Sequence, residues 1–407
     1  MAVVGLQWGG QMTTSAEQMR AWRGPAILSF GFRPFFLLGA IWAALAMVVW
    51  VVMLTGREVL PTAFDPVSWH SHELLFGYLG AVIAGFLLTA VPNWTGSLPI
   101  VGWRLAGLVA LWITGRVVVG ISSYLPSLAV ALADLALPLA LATFLTREIV
   151  AGRNWKNLPV LALLAGWTIA NALFHLEAAR GGYPAQGVGL RVGLGVAVML
   201  ISLIGGRIVP SFTRNWLAQR EATGLPVPFG KADGAVLAMT LGTLSLWVFW
   251  PNGLMTAVAC GLAGFAHLWR LARWEGLQTG REALVWVLHA GYAFVPLGFL
   301  AIAAAHFAPG MGSAVQHIWM AGAVGLMTLA VMTRASLGHA GRPLHATGAI
   351  IALYLALMLS IVARLLAGLM PGESWLLYVA AGAWIAAFGG FSVIYWPILA
   401  RRRQEAR

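Results

Sequence analysis

The stretch from Trp69 to Gly96, WHSHELLFGYLGAVIAGFLLTAVPNWTG, decides the fold, because it is long and apolar enough to cross a bilayer. Its two histidines, His70 and His72, stand at the start of this run. Similar apolar runs recur through the chain, and none shows the alternation of a strand. A backbone in lipid must satisfy its own hydrogen bonds, so we predict that every one of these runs is a helix.

The composition places the whole chain in a membrane. Of 407 residues, 60% are hydrophobic and only 9% are charged, which is far from the composition of soluble globular proteins. We predict an all-α fold: a polytopic integral membrane helical bundle with about twelve transmembrane helices. The predicted spans are residues 34–55, 69–91, 101–121, 125–146, 157–177, 188–209, 232–250, 253–271, 283–305, 313–334, 344–369 and 375–399.

The formal net charge of +12 is explained by topology. The basic residues concentrate before the first span, in alternate loops and in the tail, so the positive-inside rule predicts that both termini are cytoplasmic. This pattern explains the charge without nucleic acid as a partner. The predicted organisation is a cytoplasmic N-terminal segment (1–33), a single transmembrane domain (34–399) and a basic cytoplasmic tail (400–407), with no removable signal peptide.

Cysteine chemistry is excluded as the basis of a redox centre within this chain. Cys260 is the only cysteine, and it lies inside a predicted span. Disulfides, cysteine-ligated iron–sulfur clusters, C-x-x-C-H haem attachment and a dithiolate copper centre all need more than one cysteine. Any metal or haem must therefore be held by other ligands.

Five histidines from four spans fall near the extracytoplasmic face in this topology. Histidine at lipid-facing positions is costly, so membrane anchoring does not explain the layer well. Ligation of a metal or of haem explains it better, because neutral imidazole is the commonest metal ligand and serves as an axial ligand of haem iron. The predicted ligands are His70, His72, His175, His306 and His317.

The spacing of His70 and His72 leaves two arrangements open. At about 100° per residue, their side chains point roughly 200° apart around a helix. Either they serve two centres on opposite flanks of the span, or His70 lies on a non-helical cap. Glu73 either orients an imidazole or ligates directly. The alternative for His70 is an interfacial residue bonded to loop backbone.

Several further residues are candidates for proton transfer or cofactor binding. Asp134 is an acid within a span, which indicates a proton relay or else a protonated hydrogen-bond donor between helices. His289 and Tyr292 are three apart on one helix face, and they predict either a site or a packed hydrogen-bonded pair. With Glu73, Asp134 and Tyr292 are the predicted catalytic residues.

Arginines and a histidine at helix ends give weaker signals. Arg207, Arg334 and His339 lie at cytoplasmic ends of two spans and predict a vestibule for anions, protons or a cofactor, although ordinary helix termini have a similar composition. Three arginines near the outer face either pair with haem propionates or extend toward the interface as snorkelling side chains. They are Arg116, Arg191 and Arg364.

Four segments together resemble the hallmark stretches of a known family. They are SFGFRPFFLLGA (29–40), the 69–96 segment, GGRIVPSFTRNW (205–216) and GLMTLAVMTRASLGHAGR (325–342). On these segments the chain is similar to the NnrS family of bacterial inner-membrane proteins. The resemblance implies a multi-pass protein of the cytoplasmic membrane that contains haem and copper and relieves nitrosative damage. His70, His72, Glu73, Arg207, Arg334 and His339 stand within the matching segments, and His317 lies just upstream of the last.

The leading hypothesis is a protein that binds nitric oxide with non-covalent b-type haem and copper, and that reduces or otherwise clears it. If it is an enzyme, it is an oxidoreductase that receives electrons from quinol or from a donor protein. The alternative is a secondary transporter of a metal, an anion or a nitrosyl-iron species, which twelve spans would suit. We find no internal repeat to support it. A third hypothesis is a haem-binding sensor or assembly protein without turnover.

Overall fold

A computed structural model describes residues 22–308 and 312–402. Within these residues the regular structure is helical throughout, and twelve helices are long and apolar enough to cross a membrane. The predicted all-α bundle is thus confirmed. The helices are α1 (Phe32–Leu54), α2 (Pro66–Thr95), α3 (Trp103–Gly120), α4 (Ser127–Ala151), α5 (Trp155–Ala179), α6 (Val188–Ala218), α7 (Lys231–Phe249), α8 (Leu254–Ala272), α9 (Ala283–Ala305), α10 (Ala314–His339), α11 (Gly348–Leu369) and α12 (Trp375–Ala400).

Three helices, α2, α6 and α10, form the interior of the bundle. They recur at every fourth helix along the chain. In their most apolar windows, α2, α6 and α10 are 83%, 61% and 72% buried, whereas the other nine helices are between 33% and 56% buried. The three inner helices contact one another, and the remaining helices pack around them. A helix enclosed on all sides is apolar around its whole circumference except where polar groups meet partners. Polar residues on these helices therefore indicate sites.

Each inner helix also contains a wide, π-helical segment. These segments are Glu73–Tyr78 in α2, Ile201–Gly205 in α6 and Ile318–Leu326 in α10. Such turns are rare, and they occur frequently at functional sites because they change the direction in which the following side chains point. The histidine-bearing starts of α2 and α10 both run directly into one of these segments.

The limits of α2 follow from local capping. The helix begins at Pro66, before the predicted residue 69, because the Asp65 carboxylate accepts hydrogen bonds from the main-chain N–H groups of Val67 and Ser68, both at 3.0 Å. Gly96 ends it in the left-handed conformation, with φ of 74°. His70 is therefore helical, and the non-helical cap considered from the sequence is not formed.

Helix α6 continues beyond residue 209, the predicted end of the sixth span, and ends at Ala218. Pro210 lies inside this helix. The extension is amphipathic, with Thr213 and Leu217 buried and Arg214 exposed, so packing on one face maintains the helix beyond the proline.

The start of α1 and the end of α12 lie on the same face of the bundle, because the number of spans is even. The first turn of α1 also meets the end of α12, where Arg33 Nη1 donates to the main-chain oxygens of Leu399 at 3.4 Å and Arg401 at 3.3 Å. We call this the basic face and the opposite side the far face. The assignment of the basic face to the cytoplasm stays a prediction. Helix α1 begins at Phe32, and most of the predicted N-terminal segment (1–21), like residues 403–407, is outside the described residues.

Candidate functional site

A large cavity opens between the inner helices near the far face. Its volume is about 580 Å³, and its wall includes two of the predicted ligands, His70 of α2 and His317 of α10. Apolar side chains form most of the wall, among them Trp50, Leu194 and Trp384. Cavities of this size, with apolar walls and a few polar groups, are typical of cofactor sites.

His70 is positioned by an aromatic neighbour. Its ring stacks on the indole of Trp50, with ring centroids 4.1 Å apart and an angle of 25° between the planes. The Nδ1 atom is buried and makes no hydrogen bond to any part of the chain that the structure describes. The imidazole is thus held in a fixed plane at the cavity wall, with ring nitrogen capacity that protein partners do not use.

Two arginines give the same cavity a positive wall. Arg191 is held by the main-chain oxygens of Val248, at 3.0 Å from Nε, and of Gln186, at 2.7 Å from Nη1. Arg364 also lines the cavity, and its Nε is buried without a partner among residues 22–308 and 312–402. Guanidinium groups bind carboxylates well. The cavity therefore combines imidazoles, apolar walls and cationic groups, which together fit a haem with its propionates.

A second site is a buried cluster of charged and polar side chains from α2, α3, α4 and α5. Every member is at most 6% exposed. We call it the carboxylate cluster, and its members are His72, Glu73, Arg116, Asp134, Asn171 and His175.

Asp134 is the centre of the carboxylate cluster. Its Oδ2 accepts a hydrogen bond from Asn171 Nδ2 at 2.7 Å and lies 3.1 Å from Nε2 of His175 and 3.2 Å from Nε2 of His72. Its Oδ1 accepts from Arg116 Nη2. The predicted intramembrane acid thus contacts polar side chains of three helices, since Asn171 and His175 both reach it from one face of α5, His72 from α2 and Arg116 from α3.

Glu73 forms the other end of the carboxylate cluster. Its Oε1 accepts from Arg116 Nη1 at 2.7 Å and lies 3.0 Å from His72 Nδ1, while Oε2 accepts from Trp42 Nε1 at 2.7 Å. Two carboxylates face one guanidinium, so one further positive charge makes the cluster neutral. Both ring nitrogens of His72 face oxygen atoms, and the ring donates to both only when it is doubly protonated. A bound cation would supply the same charge.

Three members of the carboxylate cluster have the geometry of metal ligands. One ligand atom each from His72, Asp134 and His175 can be chosen so that all three lie within 4.8 Å of one another. Two imidazoles and one carboxylate suit copper, zinc or iron. In this structure the Nε2 atoms of His72 and His175 both lie within hydrogen-bond distance of Asp134 Oδ2, so a metal ion would replace these contacts. Copper is one of the metals that this donor set suits.

Two glycines allow the helices to approach at this cluster. A Cβ atom at Gly77 would lie 2.5 Å from Arg116 Nη1, and one at Gly115 would lie 2.7 Å from Asp134 Oδ1. Both contacts are shorter than real Cβ atoms make, so any larger residue would displace the ion pairs.

A third polar group lies nearer the basic face and contains Tyr292. The oxygen of Tyr292 accepts from Arg270 Nη1 at 2.9 Å and lies 2.9 Å from His267 Nδ1. His267 Nε2 in turn lies 2.8 Å from Thr240 Oγ1, whose proton bonds to a main-chain oxygen of α7. His289 does not pair with Tyr292 as one sequence alternative proposed. It bonds instead to Thr213 of α6, at 2.7 Å.

A buried ion pair in this third group was missed from the sequence. Arg270 of α8 is fully buried, and its Nε donates to Asp233 Oδ1 of α7 at 2.8 Å. The sequence interpretation treated Arg270 only as a marker of the cytoplasmic side, because it stands close to the end of a span. The sequence feature that could have indicated this ion pair is Asp233, an acid in the first turn of the neighbouring span.

The remaining predicted residues are dispersed. The five histidines do not converge on one site: His70 and His317 line the cavity, and His72 and His175 belong to the carboxylate cluster. His306 lies half-buried at the end of α9 with its ring against Phe307, away from both sites.

On the basic face, the predicted vestibule is not formed as one site. Arg207 is exposed, whereas Arg334 is buried with its guanidinium 4.4 Å from the ring centre of Phe212. His339 is exposed and packs beside Phe30 and Phe32. The structure thus concentrates the chemistry at the cavity and the carboxylate cluster.

Comparison with known proteins gives one family. A family model described as NnrS protein matches residues 26–403, nearly the whole chain and including both sites. No curated protein matches the sequence.

Proposed function

The chain belongs to the NnrS family, and from that membership we propose a multi-pass protein of the bacterial cytoplasmic membrane that responds to nitric oxide with bound haem and copper. The observation that carries the proposal is the cavity itself. Two imidazoles and two arginines from different helices meet in one apolar space of about 580 Å³. No single one of these residues indicates haem. Together they match the three parts of a haem, which are the iron, the apolar ring and the propionate groups.

The residues of the cavity would divide the binding of haem among them. His70 and His317 supply imidazole nitrogen for the iron, and Trp50 holds the His70 ring in its plane. Arg191 and Arg364 supply positive charge for the propionates. The apolar wall excludes water from the ring and strengthens these electrostatic contacts. A bound haem iron supplies nitric oxide binding and one-electron exchange.

The carboxylate cluster is the proposed copper site. His72, Asp134 and His175 are its donors, and Glu73 and Arg116 fix their charge and orientation. Glu73 and Asp134 also provide oxygens that can hold protons beside the metal. No covalent electron carrier is encoded in the sequence, so the proposed donor of electrons is quinol or another protein.

The test is a reduced-minus-oxidised optical spectrum, with metal analysis, on detergent-purified protein. We compare the wild type with His70→Ala and His317→Ala, and use His345→Ala as the control because that side chain is 73% exposed and lies outside both sites. We expect a b-type haem spectrum in the wild type and the control, and its loss in the two cavity variants. A colourless wild type without metal would overturn the proposal and favour the transporter.

A further inference from the structure

A second, almost wholly apolar cleft lies between α2, α5, α6 and α10. We propose that this cleft is the route by which a small uncharged molecule passes from the bilayer into the cavity of His70 and His317. The identification of that molecule as nitric oxide rests on the proposed function. The existence of the route rests on the geometry alone.

The cleft leads from the surface into the interior. Half-buried residues form its rim, among them Ile83 and Phe86 of α2 and Ile204 of α6. Its deep end is formed by fully buried residues, which include Ala197 of α6 and Met327 of α10. The residues of α2 that line it lie in the middle of that span. The rim therefore faces the hydrocarbon layer, where small apolar molecules concentrate.

The cleft and the cavity share a thin partition. Val324 lines both of them. Tyr78 lines the cavity, Thr328 lines the cleft, and their hydroxyl oxygens are 2.6 Å apart. Thr328 Oγ1 also lies 2.6 Å from the main-chain oxygen of Val324, to which it donates, so Tyr78 is the donor to Thr328. Val324 and the hydrogen bond between Tyr78 and Thr328 thus lie at the boundary of the two spaces.

The size and chemistry of the cleft select its occupant. Its volume is about 90 Å³, which is far below that of the histidine cavity. Dry apolar cavities of roughly 150 Å³ bind benzene or xenon, so this one accepts a diatomic gas and excludes a haem. The lining contains no charged side chain that could compensate a charged molecule for lost water, which disfavours metal ions and anions.

The position of the partition also favours passage. Tyr78 is the last residue of the wide segment in α2, and Val324 lies inside the wide segment of α10. Two of the three irregular helical segments thus meet where the cleft approaches the cavity. A functional role for these turns is their usual explanation.

The first test uses xenon and does not depend on haem. Crystals pressurised with xenon should show an atom in the cleft of the wild type, and Val324→Phe should remove it by filling the space. Val258→Phe is the matched control, because Val258 lies on the lipid-exposed side of α8, with 54% of its surface exposed. An empty cleft in the wild type, or unchanged xenon in Val324→Phe, would overturn the proposal.

The second test measures carbon monoxide rebinding after flash photolysis. We expect Val324→Phe to slow association by about tenfold, which corresponds to a barrier higher by about 1.4 kcal/mol. Val324→Ala and Tyr78→Phe should accelerate it, and Val258→Phe should leave it unchanged. The haem spectrum of each variant is recorded first. If haem is absent, the proposed function is contradicted, and the xenon test of the route still applies. If haem is present and the association rates are unchanged, only the proposed route is overturned.

Discussion

His70 and His72 are two residues apart on α2, and their rings lie in two different sites. His70 lines the cavity between the inner helices, whereas His72 contacts Glu73 and Asp134 in the carboxylate cluster. The helical period explains this separation, since two residues correspond to about 200° of rotation. One turn of α2 therefore contributes a histidine to the proposed haem site and another to the proposed copper site.

The separation predicts that the two cofactors can be removed independently. His175→Ala should lose copper and keep haem, because His175 is 3.1 Å from Asp134 and does not line the cavity. His70→Ala should lose haem and keep copper. Pyridine haemochrome spectra and metal analysis on the same samples measure both contents. Loss of both cofactors in both variants would show that one site, or general unfolding, accounts for the result.

The carboxylate cluster predicts a large stability cost for removing its guanidinium. Arg116→Met would leave Glu73 and Asp134 buried without their main counter-charge, and breaking such a pair costs about 3–5 kcal/mol. The measurement is the thermal unfolding midpoint in detergent. Arg104→Met is the control, since Arg104 is exposed on the same helix. A cost no larger than that of the control would show that the carboxylates are neutral.

The close approach at Gly77 gives a prediction without any change of charge. Gly77→Ala places a methyl group where Arg116 Nη1 and Glu73 Oε2 lie, at 2.5 and 2.9 Å. We expect a loss of about 1–3 kcal/mol, the usual effect of overpacking, and a fall in copper content. Gly107→Ala is the matched control, because a Cβ atom there meets nothing within 4 Å. Equal stability of the two variants would contradict the tight packing.

The sequence predicts depth in the membrane better than lateral position. Span order and basic loops predict that His70, His72, His175 and His317 lie near one face, and the structure has them at the starts of α2 and α10 and near the end of α5. The division of these histidines between two sites depends on which helices pack together, and hydropathy carries no information on that. Arg116 shows the same limit. Its position near a span end suggested a propionate or an interface, but it pairs with acids on α2 and α4.

The ion pair of Arg270 and Asp233 illustrates why such pairs are difficult to predict from the sequence. The two residues are 37 positions apart and each stands near a helix end, where charges are ordinarily solvated. Only the packing of α7 against α8 and α6 buries them. Arg270 then also donates to the main-chain oxygen of Ser202, at 2.8 Å, in the wide segment of α6.

This ion pair predicts that a double substitution is less harmful than a single one. Asp233→Leu alone leaves Arg270 buried without its carboxylate, which should cost about 3–5 kcal/mol of stability. Adding Arg270→Met removes the uncompensated charge and should recover part of that loss, because two apolar side chains of similar volume tolerate burial. The midpoint of unfolding of both single variants and the double variant gives the coupling energy. Arg273→Met is the control, since Arg273 lies 3.5 Å from the same carboxylate and is partly exposed. Strictly additive losses would mean that Arg270 acts through its bonds to Ser202 and Tyr292, and that Asp233 is not its essential partner.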